Sequence, residues 1–436
     1  MKTTKALLVL AGLVLCSSLT KGAEPPGFIQ ASGTRFVEAN GAALILHGIN
    51  VENKDSKQGY LGDFGASDLD LIRSWGMNCI RLTIFWDGLE PEAGRIDRSY
   101  IERIARVIEL AKARGIYVLL DMHQDLYSVK FSDGAPLWAT LDEGKVHTKG
   151  RVWSDSYVSS EAVQTAFDHF WANSPVSDGV GLQDHYARVW QAVATRFAAE
   201  PAVVGYDLMN EPAPGVDYAR AQQAGTMALA QALGKRKGAK ASGVDEIVAS
   251  ISQPDGLKQL QSWLADPGIF SAMLEGMAPV SQNFERTRLM PFYTRVARAI
   301  RQVDHKHILF LEPAILTGVG VRSALQAVTG VQGKPDTQLA FSPHCYDITT
   351  DSGPTDPAGN ARLKIILSNH NDKSRQLDWP MLVGEWGAFY LDGGAAASAR
   401  FITGEFNRLG SSDTYWSYER ALSHSPLLPA LSRRIP

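Results

Sequence analysis

Cysteine is scarce, with only three in 436 residues. Cys16 falls in an amino-terminal apolar stretch expected to be removed. Cys79 lies in an early predicted strand and Cys345 in a late one. If these are strands two and six of a barrel, they face each other across it. A disulfide needs Cα atoms within about 7 Å, so none is expected. Both read as buried thiols, and no metal-ligand spacing occurs, so no metal or other cofactor is expected. A net excess of positive charge is also lacking. A net charge of −3 argues against a nucleic-acid partner, whose backbone calls for clustered cations. The one basic run, Lys235-Arg236-Lys237 with Lys240, sits among Gly234, Gly238 and Gly243 and reads as a solvated loop. No late segment is apolar enough to suggest a membrane span. No glycine-rich dinucleotide fingerprint follows the first strand, and there are no internal repeats.

What remains is an ordinary globular composition, 45% hydrophobic and 20% charged. The amino terminus reads as a secretory leader over residues 1–23. Lys2 and Lys5 are followed by the apolar stretch Ala6 to Leu15, then by small residues up to Ala23. That stretch is shorter than the ~20 residues that cross a bilayer. Leu13-Val14-Leu15-Cys16 partly matches a lipoprotein cleavage site, but Leu15 is too bulky before the cysteine. The expectation is therefore a secreted or periplasmic protein rather than one anchored at Cys16.

Apolar runs alternate with helix-like segments, the pattern of a parallel α/β fold. Eight strands are predicted. They are Leu44 to Ile49, Cys79 to Ile84, Ile116 to Met122, Val203 to Met209, Ile308 to Leu311, Leu339 to Ser342, Met381 to Val383 and Tyr415 to Tyr418. Helical spacing covers Ala66 to Trp75, Tyr100 to Arg114, Asp184 to Ala199 and Leu289 to Val303. A (β/α)8 TIM barrel takes about 250 residues, so residues 24–436 fit one barrel with long loops at its C-terminal face. The longest connections run from Asp125 to about Pro175 and from Pro212 to about Arg288. The second reads as a helical insertion, about 213–288, rather than a separate domain.

Two apolar strands each end in a glutamate: Glu211 within Asn210-Glu211-Pro212, and Glu385 after Val383-Gly384. A lone strand-end glutamate more often caps a helix or forms a salt bridge. Here polar residues gather at the other strand ends too: Arg81, His123 and Asp125, His344 and Tyr346, and Trp416. Each has a bland reading as an ion pair, a core histidine or barrel packing. Together they point to one cleft, because parallel barrel strands all end on the same face. Paired carboxylates there suit glycoside hydrolysis.

In order, Arg81, His123, Asn210-Glu211, His344, Tyr346, Glu385 and Trp416 resemble the active-site pattern of glycoside hydrolase family 5. The likeness runs from about Phe28 to Tyr418. Asp121-Met122-His123-Gln124-Asp125, Asp207-Leu208-Met209-Asn210-Glu211-Pro212, Ser342-Pro343-His344, the run Phe167 to Asn173 and Pro291-Phe292-Tyr293 are similar to the endoglycoceramidase branch. The resemblance implies a retaining glycosidase that separates oligosaccharide from ceramide. Glu385 would be the nucleophile and Glu211 the acid/base, with a raised pKa. Arg81 and Tyr346 would hold Glu385 ionised, and Asn210 would bond the sugar 2-hydroxyl. His123 and His344 would orient sugar and carboxylates, and Trp416 would offer a flat face to the sugar. Asp125, Trp171 and Lys54 would form the next sugar subsite.

A lipid leaving group needs an apolar trough. Phe131, Ala135, Pro136, Leu137, Trp138 and Leu141 either line it or serve as ordinary packing. The branch usually carries a C-terminal β-sandwich, whereas only Glu419 to Pro436 follow strand eight here. In this reading the sandwich is missing, and Leu427 to Arg434 resembles the approach to it. The expected partners are a glycosphingolipid or β-glycan substrate and transient membrane or micelle contact, with the protein a monomer. Two alternatives stand beside this reading: a β-1,4-glucanase or β-glucosidase on soluble glycans, and a glycan- or glycolipid-binding protein without activity.

Overall fold

The computed structural model describes residues 27–235, 247, 249–250, 253, 256–330, 333–350, 359–389 and 395–432. The predicted leader, Cys16, most of the basic run and the last four residues lie outside them. Eight parallel strands form the sheet: β4 His47–Val51, β5 Cys79–Phe85, β6 Tyr117–His123, β7 Val203–Asp207, β8 Ile308–Leu311, β9 Leu339–Phe341, β10 Leu382–Val383 and β11 Ser412–Tyr415. Their order is β10-β11-β4-β5-β6-β7-β8-β9, and parallel bridges Phe341–Met381 and Cys345–Trp386 join the two edges into a barrel. Helices including Ala66–Ser74, Arg98–Lys112, Leu182–Phe197 and Met290–Arg301 flank it, as their spacing predicts.

Inside the barrel, period-two alternation carries the change from core to chemistry. The lower inward positions are apolar: Cys79, Tyr117, Leu119, Ile308, Phe310, Ala340 and Leu382 pack together. Two or four residues further along the same strands stand Arg81, Asp121, His123, Glu312 and His344, all buried. The intervening residues, such as Ile80, Leu82, Val118, Leu120, Leu309 and Leu311, face the helices in the larger core. Cys79 and Cys345 are both buried and free.

Two strand predictions shift. The apolar run Leu44 to Ile49 is divided, because Leu44 ends β3 (Ala43–Leu44) of a small antiparallel sheet. That sheet, with β1 Gln30–Ser32 and β2 Arg35–Val37, closes the barrel floor, where Phe36 stacks on Phe310 at 5.7 Å. The eighth strand starts three residues early, at Ser412 rather than Tyr415. Its polar residues do not look like a core strand, but their groups are satisfied. Asp413 lies 3.3 Å from His47 Nδ1 and accepts from Trp386 Nε1 at 3.0 Å. Trp416 therefore follows β11 instead of lying within it.

The insertion after β7 is helical, with Asp217–Lys235, Gly256–Leu264 and Pro267–Phe284 in it. It buries Leu229, Leu264, Phe270 and Phe284 in the main core. The predicted approach to a sandwich contains the short helix Leu428–Leu431, with Leu427 and Leu431 buried. His47 Nε2 lies 2.7 Å from Leu431 O. Among the described residues, no helix is long and apolar enough to cross a membrane.

Candidate active site

Arg81 is the hub. It is fully buried on β5, where an isolated charge is prohibitively costly unless paired. Nη1 donates to Glu385 Oε1 at 2.8 Å and to Asn50 Oδ1 at 3.0 Å. Nε donates to Asp207 Oδ2 at 3.0 Å. Nη2 reaches Glu312 Oε1 at 2.8 Å, Asn210 Oδ1 at 2.9 Å and Asp121 Oδ1 at 3.0 Å. Five of these contacts are hydrogen bonds and Asp121 is an ion-pair neighbour, and only the forked guanidinium, with five N–H donors, can serve five acceptors. Burial and then the Glu312 charge push Asp207 well above the usual carboxylate range.

Glu385 accepts from Arg81 on one oxygen and from Tyr346 OH, at 2.9 Å, on the other. Glu211 is held from several sides. Its N–H donates to Glu312 Oε2 at 2.8 Å, and Gln124 Nε2 donates to Asn210 O at 2.9 Å and Glu211 O at 3.2 Å. These bonds fix it at φ 42°, in the left-handed region that side chains rarely adopt. Such strain persists only where the surroundings over-determine it. His344 sits between the two glutamates, its Nδ1 2.9 Å from Glu211 Oε1 and 3.6 Å from Glu385 Oε2. Oxygens of the two carboxylates come within 4.8 Å of each other. Burial pushes Glu211 up to about 7; the nearby Glu385 charge adds to the rise and His344 opposes it. Burial alone would depress His344, but Glu312 and Glu385 hold it well above its ordinary value.

Both glutamates line a cleft of about 930 Å³ whose two sides differ. One side is polar and comes from the ends of β4, β6 and β11: Glu52, Lys54, His123, Asp125 and Trp416. His123 Nδ1 lies 2.8 Å from Asp121 Oδ2, and its ring stacks on Trp416 at 5.3 Å and 14°. Lys54 Nζ donates to Asp125 and lies 3.2 Å from Asp133 Oδ2. Burial would raise Asp125, but Lys54 and His123 hold it well below the usual carboxylate range. The other side carries an apolar set interspersed with Gln222, Thr226 and Gln261. It carries Leu229, Leu260, Leu264, Met273 and Met277 from the helical insertion, and Ile315, Leu316 and Val319 after β8.

Most predicted site residues thus lie together, and Trp171 is the one placed elsewhere. Trp171 does not line the cleft. Its indole is buried among Phe170, Phe284 and Phe292 and donates to Ala213 O at 2.8 Å, so it braces the chain just after Glu211. Arg81 and Asn210 are buried behind the glutamates, and Asn210 Nδ2 donates to Gln124 O at 3.1 Å. The run from Phe131 to Leu141 takes the packing reading; Trp138, for example, packs on Trp86 and His185, while Leu137 projects outward. The apolar wall comes from the insertion instead, whose amphipathic helices read equally well as ordinary core.

Sequence reasoning missed Glu312, Asp121, Asp207 and Asn50 around Arg81, and Glu52 in the cleft. A signal existed for Glu312: Glu312-Pro313 at the end of β8 repeats Glu211-Pro212 after β7. Among the described residues, three carboxylate-rich clusters have ligand-type atoms within 4.8 Å of one another. Lys54 sits in one and Arg81 in another, and the third is Glu211, His344 and Glu385.

Comparisons with known proteins agree with this geometry. The family model described as Cellulase (glycosyl hydrolase family 5) matches residues 37–237 and 254–421. Endoglycoceramidase I of Rhodococcus hoagii is 33% identical over 200 residues, covering 44% of this chain and 38% of that protein. An endoglycoceramidase of Cyanea nozakii is 28% identical over 307 residues, covering 64% of this chain and 49% of that protein. The match therefore spans half or less of each of these relatives. The solved lactosyl-enzyme intermediate of endo-glycoceramidase II from Rhodococcus sp. superposes with a TM-score of 0.65 at 26% identity, covering 90% of this chain and 76% of that one.

Proposed function

This chain belongs to glycosyl hydrolase family 5, and from that membership we propose a retaining, endoglycoceramidase-like glycosidase that cuts the β-bond between an oligosaccharide and ceramide. The observation that carries the reading is the two-sided cleft, with a polar sugar wall and an apolar wall meeting at Glu211 and Glu385. Glycosidases that retain configuration place their carboxyl groups about 5–5.5 Å apart, whereas inversion needs roughly 6.5–9.5 Å. The approach of the two carboxylates, within 4.8 Å, supports retention.

Each residue then has a step. Glu211 protonates the glycosidic oxygen as Glu385 attacks the anomeric carbon, so the bond to the leaving alcohol breaks and a glycosyl ester forms. Water next gives its proton to Glu211 and displaces Glu385. Arg81 and Tyr346 fix the attacking carboxylate, and His344 spans the pair. All of the chemistry is proton transfer and carboxylate attack by this chain's own groups.

The pH dependence follows from Glu211. The first step needs its proton, which it gives up as pH rises through about 7. The rate kcat/KM on an aryl β-lactoside whose phenol needs protonation is expected to fall above that pH. A leaving group that needs no proton should show no such alkaline fall in its glycosylation step.

The lipid would lie along the insertion. Leu260→Ala and Met277→Ala are expected to lower kcat/KM on lactosylceramide about tenfold, since burying such a side chain contributes roughly 1.5–3 kcal/mol. Aryl lactoside hydrolysis should stay within about twofold. Equal losses on both substrates would place the lipid elsewhere.

The exposed apolar residues Leu137, Val146, Trp153, Val216 and Met227 all come from the connections after β6 and β7. They support transient contact of this rim with a membrane or micelle, by a monomer exported through the leader read in residues 1–23. Thin-layer chromatography after incubation with lactosylceramide and ganglioside in mild detergent tests the whole reading. Intact oligosaccharide and ceramide are expected from the native protein and not from Glu211→Gln. Hydrolysis of soluble β-glucan or aryl glucoside alone would move the assignment to a soluble-glycan glycosidase, and activity on neither to a binding protein.

A further inference from the structure

Two polar atoms of the cleft's sugar wall lack hydrogen bonds. His123 Nε2 is buried and unpartnered, although Asp121 fixes the ring from its other nitrogen. Glu52 Oε2, just past β4, is likewise buried and accepts no hydrogen bond; Lys54 Nζ stands off at 3.8 Å. Lys54 is already committed to Asp125 and Asp133. Buried polar groups are seldom left unsatisfied, and where they line a cleft the partner is water or a ligand that displaces it.

The place of Glu52 says which part of the ligand. Glu385 is flanked by Trp416, whose ring stacks on His123. Beyond them come Lys54, 5.8 Å over the Trp416 ring, and Asp125, with Glu52 beside Lys54. The apolar insertion lies on the other wall. The group that meets Glu52 is therefore sugar, one unit beyond the sugar Glu385 attacks.

The geometry points to Glu52 as a specificity-determining residue that hydrogen-bonds a hydroxyl of a neutral outer sugar and disfavours a carboxylate on that sugar. The inference rests on the glycosidase reading above and deepens it. Three carboxyls, Glu52, Asp125 and Asp133, surround one ammonium in this corner. An anionic sugar there would meet three carboxyls around an ammonium already engaged by two of them, while Arg151, the other cation lining the cleft, stands 4.0 Å from Asp155; like charge of this kind is how sites reject the wrong ligand. Burial pushes the Glu52 carboxyl up to about 7 against the pull of Lys54 and His123. A hydroxyl, both donor and acceptor, fits either protonation state of Glu52, and a carboxylate fits only the acid.

The test compares aryl β-disaccharides whose outer sugar is neutral or oxidised to the uronic acid, using native protein, Glu52→Gln and Glu52→Ala. Glu52→Ala is expected to raise KM for the neutral compound about tenfold with kcat within about twofold, as when a site loses one charged hydrogen bond. Glu52→Gln keeps the shape and an acceptor but loses the charge. It should narrow the preference for neutral over acidic compound about tenfold. In both variants the loss on an aryl monoglucoside should be smaller than the loss on the neutral disaccharide. An unchanged KM and an unchanged preference would overturn the inference, and an equal loss on the monoglucoside would overturn the outer-sugar placement. Calorimetric binding of the two free disaccharides needs no turnover. If native protein cleaves nothing yet binds the neutral sugar preferentially through Glu52, the glycosidase reading fails and the Glu52 assignment stands.

Discussion

Glu211→Gln is expected to trap a sugar on Glu385. A dinitrophenyl leaving group departs without protonation, so the first step proceeds in the variant. The second step needs a base to take the proton from water, and glutamine cannot do so. General acid–base assistance contributes about 10²–10⁴-fold, so turnover should drop by that factor while the ester accumulates. With dinitrophenyl β-lactoside, intact-protein mass spectrometry should show one added lactosyl group within a single turnover. Peptide mapping should place it on Glu385. Glu385→Gln should form no adduct and lose turnover more severely. The geometry motivates this division of labour. Glu211 is the carboxyl raised to about 7, close to the working pH of a neutral-range acid, whereas Glu385 has both oxygens already accepting hydrogen bonds from Arg81 and Tyr346. No adduct on Glu211→Gln, together with an inverted product from native protein, would rule out the covalent route.

The residues that touch this chemistry were legible where they stand at the ends of apolar strands. Glu211, His344, Tyr346 and Glu385 are legible as a set, because polar groups gathered at the ends of several apolar strands open on one face of a barrel. The residues that hold them were not legible for the opposite reason. Asp121 and Asp207 lie within the apolar runs, and their meaning comes only from Arg81 across the barrel. Trp171 shows the limit of a pattern match. Its place in the chain suits a sugar subsite, but the aromatic cluster of Phe170, Phe284 and Phe292 turns its ring into the core. The fold followed the same rule. Strands two to seven, rich in Ile, Leu and Val, were placed within a residue or two, whereas the first run was divided and the polar strand Ser412–Tyr415 was displaced because its burial depends on partners distant in sequence.

The interior charge array makes Arg81 the position of greatest expected effect on stability. Replacing it with methionine keeps most of the volume but leaves Asp121, Asp207, Glu312 and Glu385 facing one another without their shared cation. Removing one partner of a buried pair typically costs about 3–5 kcal/mol, and here one removal strands four carboxyls. Arg81→Met is therefore expected to lower the unfolding free energy by at least about that amount in urea titrations at pH 7. Arg81→Lys should recover only part of it, because a compact ammonium with three donors cannot span acceptors spread around a planar fork. The pH dependence distinguishes electrostatics from lost packing. Glu312 is held below its ordinary value; burial would raise it, but His344 and Arg81 outweigh that. Its stabilising contribution is therefore complete above the unfolded carboxyl value, about 4.3, and is lost as pH falls towards the lower folded value. Native protein should lose stability through that window faster than Arg81→Met, which no longer has the full contribution to lose, so the gap between them should narrow with acid. A gap that stays constant from pH 7 to pH 4 would mean that Arg81 acts by filling space, and that the carboxyls around it are balanced by their own protons.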